Sequence, residues 1–452
     1  MAGRIPQSFI DDLLARTDIV DLIDQRVKLK KAGKNYQACC PFHNEKSPSF
    51  TVSPDKQFYH CFGCGAHGTA LGFLMEYDGL EFLDAIDELA SMHGVTVPRE
   101  QSGSPERQAA AKAVRQDLYG QLNEISRFYQ AQLKQSQAAI AYLKGRGLSG
   151  EVVKQFAIGY VPDQWDSVKR QFARGREAEQ QLIEGGMLLQ NDKGRVYDRF
   201  RDRIMFPIRD RRGRTIGFGG RVLGEGTPKY LNSPETPVFH KGRELYGLFE
   251  VRQAHRNPDR ILVVEGYMDV VALAQFGIDY AVASLGTSTT TDQLQLLFRT
   301  TREVICCYDG DRAGREAAWR ALENALPLMQ DGRSLKFVFL PDGEDPDTLV
   351  RKLGAATFER MLDQAQDFGD FLFERLGQDT MAGDAGQHEL AHKAAEAIMR
   401  VPEGFTREGL ITRLSRQLNW GENERRVREL FARPNRTDAP PEPAPKRESK
   451  KI

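Results

Sequence analysis

The sequence predicts a multidomain α/β protein, and three observations carry that prediction. From Arg260 onward, short β-branched runs alternate with helical spacing. Two of those runs, Ile261-Leu262-Val263-Val264 and Val304-Ile305-Cys306-Cys307-Tyr308, stop at acids: Glu265-Gly266 and Asp309-Gly310-Asp311. Near the N-terminus, a Cys-x2-His pair and a Cys-x2-Cys pair share one short segment.

In chain order, residues 1–100 read as a compact unit. Helices are expected over 8–14 and 18–23, a hairpin over 49–52 and 57–61 around Pro54-Asp55, and amphipathic helices over 71–77 and 82–92. Residues 101–113, with Gln101-Ser102-Gly103-Ser104-Pro105-Glu106 at their start, read as a linker. Helical spacing resumes from Ala109 to Leu143, and a mixed, arginine-rich subdomain spans 114–256. Within 257–350, strands are expected at 261–265, 280–283, 304–308 and 335–340, with helices near 268–276, 291–299 and 313–326. That order calls for a parallel sheet with helices on its faces. Residues 351–432 read as helical, and 433–452 as a proline- and lysine-rich linker or disordered tail.

The chain has 452 residues, enough for about three domains. Its 63 basic and 63 acidic residues cancel, which leaves nucleic acid as a partner open because local charge decides. No apolar run approaches the ~20 residues of a membrane helix, and Met1-Ala2-Gly3-Arg4-Ile5-Pro6 has no signal-peptide core. A soluble cytoplasmic protein is expected. Four of six cysteines lie between Cys39 and Cys64, which in a reducing compartment argues for metal rather than disulfides.

Cys40 and His43, then Cys61 and Cys64, are two ligand pairs with seventeen residues between them. Four protein ligands close a tetrahedral Zn²⁺ shell, so the site should be structural. The bland alternative is a reduced, buried cysteine cluster. Cys39 competes with Cys40 but misses the two-residue gap to His43, and His60 and His67 break the pairing. Cys306 and Cys307 sit in an apolar strand and read as packing residues. Lys28, Lys30, Lys31 and Lys34 interleave with Tyr36, Phe50, Phe58, Tyr59 and Phe62. Those rings suit base stacking on single strands or simply the core of a small domain; both readings stand.

Glu265, Asp309 and Asp311 form the central acidic set. Asp309 and Asp311 are two apart and would point the same way in extended chain. Asp345 and Asp347 add a second D-x-D after the last strand, and Asp269, one helical turn past Glu265, is a supporting candidate. Hard oxygen donors at the C-terminal edge of a parallel sheet suit Mg²⁺ or Mn²⁺ and phosphate chemistry. Upstream, Arg195, Arg199, Arg201, Arg203, Arg209, Arg211, Arg212 and Arg214 crowd one stretch, followed by Gly219-Gly220-Arg221, Lys229-Tyr230-Leu231-Asn232 and His240-Lys241. A charge run is often only a solvated face. Beside an acidic metal site it favours nucleotide or template contact, with glycines permitting close backbone approach.

Taken together, three stretches resemble the bacterial replicative DNA primases of the DnaG type. They are Cys40-Pro41-Phe42-His43-Asn44-Glu45-Lys46-Ser47-Pro48-Ser49-Phe50; Gly145-Arg146-Gly147-Leu148 with Gly219-Gly220-Arg221 and Pro228-Lys229-Tyr230-Leu231-Asn232; and Val264-Glu265-Gly266-Tyr267-Met268-Asp269 with Tyr308-Asp309-Gly310-Asp311-Arg312-Ala313-Gly314. The resemblance covers roughly residues 5 to 430. It implies an N-terminal zinc ribbon for template recognition, a mixed α+β basic subdomain, a Toprim-type parallel sheet and a C-terminal helical subdomain. It also implies metal-assisted nucleotidyl transfer from ribonucleoside triphosphates, giving short RNA primers on single-stranded DNA at the replication fork. Glu265, Asp309 and Asp311 would be catalytic and hold Mg²⁺ or Mn²⁺, with Asp345 and Asp347. Arg146, Arg221, Lys229, Tyr230, Asn232 and Lys241 would contact nucleotide or template. The family also docks on the replicative helicase through a C-terminal domain that is expected to be absent from this chain. Two rivals make different expectations. Another Toprim enzyme would cut strands without ribonucleotides, and a recombination mediator would bind DNA without incorporating any.

Overall fold

A computed structural model describes Ile5 and residues 7–80, 82–95, 97, 105–286, 288–378 and 384–418. The N-terminal unit is a five-stranded antiparallel sheet in chain order: β1 (Lys30–Ala32), β2 (Asn35–Ala38), β3 (Phe50–Ser53), β4 (Phe58–Cys61) and β5 (His67–Gly68). The expected hairpin is β3 and β4, with Phe50 opposite Cys61. β1, β2 and β5 were not anticipated: they are short, and β1 is largely exposed, so no apolar alternation marks it. Helices Ala70–Tyr77 and Phe82–Met92 lie near the expected ranges. Phe50, Tyr59, Phe73 and Leu74 are fully buried between sheet and helices.

Residues 105–113, expected in the linker, instead open the 31-residue helix Pro105–Gln135. Residues 101–104 lie outside the described residues. That helix buries Leu118, Leu122, Ile125, Tyr129 and Leu133, a stripe at three- and four-residue spacing, against the basic subdomain. There, β6 (Gly159–Val161), β9 (Arg203–Arg209), β10 (Thr215–Val222) and β11 (Tyr230–Asn232) form an antiparallel sheet in the order β11-β10-β9-β6. A separate hairpin pairs β7 (Leu188–Gln190) with β8 (Val196–Asp198).

The third sheet holds β12 (Leu245–Tyr246), β13 (Arg260–Val264), β14 (Ala281–Ser284), β15 (Glu303–Tyr308), β16 (Ser334–Phe339) and β17 (Gln366–Asp367), in the order β12-β14-β13-β15-β16-β17. The four expected strands are its parallel centre, and antiparallel edge strands flank them. The chain moves from β13 to β14 on one side, then returns past β13 to β15. Adjacent β13 and β15 therefore straddle a topological switch point, where the strand ends open a crevice.

Both faces of this sheet are apolar, and alternation sends each residue to a different core. Leu262, Val264, Ile305 and Cys307 join Ile204, Phe206 and Phe218 of the basic subdomain in one core. Ile261, Val263, Val304 and Cys306 face helices Arg312–Ala325, Phe368–Gln378, Asp384–Met399 and Phe405–Gln417 in another. The basic subdomain and the sheet thus share one core across residue 256. The stretch expected to be helical over 351–432 carries the two-residue strand β17, and 419–432 and the 433–452 tail lie outside the described residues. Among the described residues, no helix is long and apolar enough to cross a membrane.

Candidate active site and metal centres

Cys40, His43, Cys61 and Cys64 offer ligand atoms that all lie within 4.8 Å of one another. Cys40 Sγ and Cys64 Sγ are 3.8 Å apart, and Cys61 Sγ and His43 Nδ1 are 3.7 Å apart. A tetrahedral shell with Zn–S of ~2.3 Å has S···S edges of ~3.8 Å, so the quartet has the right size for zinc. The surroundings fit too. Phe42 N–H donates to Cys40 Sγ at 3.3 Å, and Gly63 and Cys64 N–H donate to Cys61 Sγ at 3.3 and 3.4 Å. Burial works against the Cys61 thiolate, but Ser49 Oγ and these N–H groups bring its pKa down to about 7.

Glu45 organises the site from outside. Its carboxylate lies 3.2 Å from His43 Nε2, leaving Nδ1 toward the thiols, and accepts from the Cys40 and Ser49 backbone N–H groups. A Cβ on Gly63 would lie 2.6 Å from His43 Nε2, so glycine is required there. Cys39 is exposed and outside the quartet. The aromatics divide: Phe50 and Tyr59 are core, whereas Phe62 is 76% exposed and packs edge-on against His60 at 4.6 Å.

The acidic residues gather at the switch point. Glu265 immediately follows β13. Asp309 follows β15. Asp311 lies past a bend at Gly310 and is the N-cap of helix Arg312–Ala325, its carboxylate accepting the Gly314 N–H at 2.8 Å. Gly310 permits this turn, because a Cβ there would collide with the Leu340 carbonyl. Asp345 caps helix Pro346–Leu353 and accepts from Thr348 N–H at 2.7 Å.

These acids share one electrostatic field. Burial raises the Glu265 carboxyl, with Asp309 and Asp311 adding to the rise. Burial, then Asp311 and Asp345, raises Asp309. Asp269 is pushed up to about 8 by burial and by Asp345 and Asp347. It accepts the backbone N–H groups of Gly266, at 3.1 Å, and of Asp347. Among the described residues, only the Cys/His quartet is a closed cluster of metal-binding atoms. The carboxylates are not drawn together likewise, as like charges without a cation should not be.

Asp347 departs from the expectation. It is 1% exposed, and its oxygens are taken by Arg146 Nη2 and, at 2.5 Å, Arg351 Nε. This D-x-D straddles a helix start, Asp345 as the N-cap and Asp347 inside the first turn, so the two carboxylates take different partners.

The basic residues also sort themselves. Arg203 is buried and donates to the carbonyls of Gly220, Pro228 and Lys229; Arg209 pairs with buried Glu250; Arg214 pairs with Asp210. Arg199 is drawn to the Asn232 carbonyl at 3.3 Å. Much of the arginine run is thus internal scaffolding, which charge counting does not reveal. The motif glycines serve packing: a Cβ on Gly219 would strike the Tyr267 ring, and one on Gly220 would lie 3.0 Å from Arg203 Cδ.

The other predicted contact residues lie on β10, on β11 and in the segments beside β11. Asn232 Oδ1 accepts from Tyr267 Oη at 2.5 Å, and its Nδ2 donates to the Leu285 carbonyl at 3.3 Å, fixing β11 to the parallel sheet. Arg221 lies over the Tyr142 ring, 4.7 Å from its centroid. Burial raises the Tyr230 phenol, Arg221 lowers it and Asp269 raises it again, which puts Tyr230 in the field of both charges. Lys229 is exposed, and Tyr230 is partly so, at 40%. Lys241 is held through its backbone by Glu235 and Gln293, with its side chain half-buried.

An aromatic-and-basic cleft lies on the basic subdomain. It measures about 750 Å³ and is lined by Trp165, Lys169, Arg170, Arg195 and Tyr197. Trp165 is 53% exposed, and the Arg201 guanidinium stacks 3.3 Å from its ring centroid. A lone tryptophan thirty-six residues from its arginine leaves no spacing signal.

Three family matches cover this architecture in order: the CHC2 zinc finger over residues 5–104, the DNA primase catalytic core N-terminal domain over 128–252, and Toprim-like over 262–350. The DNA primase of Escherichia coli K12 is 62% identical over 405 residues, spanning 89% of this chain and 69% of that protein. That of Pasteurella multocida is 58% identical over 419 residues, 92% of this chain and 72% of the relative. A DnaG primase catalytic domain solved bound to ssDNA matches 68% of this chain and 99% of its own, with 58% identity and a TM-score of 0.66. The Aquifex aeolicus primase, with zinc-binding and RNA polymerase domains, matches 90% of this chain and 96% of its own, with 33% identity and a TM-score of 0.58. The chain belongs to the bacterial DNA primases, enzymes that synthesise RNA primers for DNA replication.

Proposed function

We propose that this chain joins ribonucleoside triphosphates into a short RNA on single-stranded DNA at the replication fork. Mg²⁺ or Mn²⁺ would be held by Glu265, Asp309, Asp311 and Asp345. The observation that carries this reading is the cluster of mutually repelling carboxyls at the β13/β15 switch point, beside the exposed Lys229 and Tyr230 of the basic subdomain. The relative bound to ssDNA supports the template class.

A divalent cation there supplies charge neutralisation at the triphosphate and a lower pKa for the attacking 3′-hydroxyl. Glu265 and Asp309, raised by burial and by neighbouring acids, would gain from it the counter-charge they lack. Arg221 and Lys229 balance triphosphate charge, and Tyr142 beneath Arg221 restricts where that guanidinium points. Tyr230 offers a ring face to a base. Asn232 keeps β11 registered against Tyr267, and Lys241 adds a further cation for nucleotide or template. Trp165 with Arg201, and Phe62 with His60, are further stacking surfaces for the template strand. Four-ligand zinc at Cys40, His43, Cys61 and Cys64 is structural and keeps the second of these surfaces in shape.

The test is incorporation of labelled ribonucleotide on a mixed-sequence single-stranded DNA, with and without divalent metal. Short RNA products that vanish with chelator are expected. Strand cleavage without incorporation would favour another Toprim enzyme, and DNA binding alone would favour a mediator.

A further inference from the structure

Asp347, 1% exposed, is the most buried acid of the cluster. Arg146 Nη2 holds one carboxylate oxygen and Arg351 Nε the other. Arg351 also donates through Nη2 to the carbonyl of Arg146. Gly147, at φ +66°, leaves room for that guanidinium, since a Cβ there would collide with Arg351 Nη1. A charge removed from water and paired twice belongs to a network in which losing one partner is costly. The Asp347 backbone N–H, meanwhile, is given to Asp269 on the other side. The residue therefore joins three elements: the turn after helix Gln137–Gly145, helix Pro346–Leu353 and the helix Tyr267–Gln275 that follows Glu265.

We propose that Asp347 is a positioning residue and not a metal ligand. It fixes the Arg146 guanidinium at the seam between the basic subdomain and the acidic edge, with Arg351 bracing the pair. The inference rests on the acidic edge being the metal centre, and the test separates the two. Mn²⁺ binding to the zinc-loaded protein is measured by electron paramagnetic resonance, and primer synthesis is measured against ribonucleotide concentration. Asp309→Asn should weaken Mn²⁺ binding about tenfold, since a ligand charge is lost. Asp347→Asn should leave Mn²⁺ binding within about twofold of wild type and raise the ribonucleotide KM about tenfold, as expected when a buried charged partner is removed. Combining it with Arg146→Ala should add little to either single change. Arg351→Gln, which keeps the carboxylate, should raise the same KM without moving Mn²⁺ binding, and it decides the matter if Asp347→Asn does not fold. Mn²⁺ binding weakened by Asp347→Asn as much as by Asp309→Asn would overturn the proposal. So would an Arg351→Gln variant with unchanged KM. Unchanged Mn²⁺ binding in Asp309→Asn would instead defeat the metal reading of the acidic edge, and the positioning role of Asp347 would then stand or fall on Arg351→Gln.

Discussion

The Cys/His quartet and the acidic edge are both clusters of metal-binding side chains, and they are built in opposite ways. The quartet is closed: its ligand atoms already lie within 4.8 Å of one another, with Glu45 setting the imidazole and backbone N–H groups on the sulfurs. The acidic edge is open. Burial and mutual repulsion raise Glu265, Asp309 and Asp269, and the capping of helices by Asp311 and Asp345 takes only part of their hydrogen-bonding capacity. A structural metal site is completed by its own protein. A site that works on triphosphates has to stay incomplete until cation and substrate arrive.

The sharpest way to break this contrast is to remove one carboxylate from each kind of site. Asp309→Ala should lower primer synthesis on the order of a thousandfold, with an unchanged circular dichroism spectrum and full zinc content. Retained activity would show that the edge is not the metal centre. Glu45→Gln should weaken zinc binding about 10–100-fold in a chelator competition, because it orients a ligand rather than being one. Equal zinc affinity would mean that the quartet sets its own geometry.

Acidity supplies a third test. The acids at the edge hold protons longer in the folded than in the unfolded chain, chiefly through burial and then through one another. Without divalent metal, stability should therefore fall as pH rises from the ordinary carboxylate range toward the value of about 8 at Asp269. Added Mg²⁺ should flatten that fall in a melting-temperature series; a metal-free profile that rises with pH over the same window would contradict it. The smallest effect belongs to a cysteine outside both sites. Cys306 is fully buried in β15, so Cys306→Ala should cost about 1 kcal/mol of stability in denaturant unfolding and leave zinc stoichiometry intact.

What the sequence made legible follows from which signals are local. Apolar runs alternating with helical spacing, two of them ending in acids, located the four parallel strands near their ranges, and paired spacing located the quartet. Strand order was not legible, because nothing in a run states which neighbour it pairs with. Side-chain direction was lost wherever secondary structure changed: Asp311 reads as sharing a face with Asp309 but caps a helix, and Asp347 reads as a turn residue at the acidic edge but lies in the first turn of a helix with its carboxylate on Arg146 and Arg351. Charge was legible as composition, not as burial. Arg203 and Arg209 look like solvent-facing phosphate binders in a run, and both are internal struts. Trp165 and Arg201 meet only in the folded chain.

The most direct test of the two-site account is a single restoration experiment. The zinc-loaded protein is exposed briefly to EDTA, desalted, and assayed for ribonucleotide incorporation while zinc content is measured on the same sample. The account predicts that incorporation disappears, zinc stays at one per chain, and Mg²⁺ alone restores synthesis. Incorporation that persists without divalent metal, or that Mg²⁺ fails to restore while zinc remains bound, would contradict it.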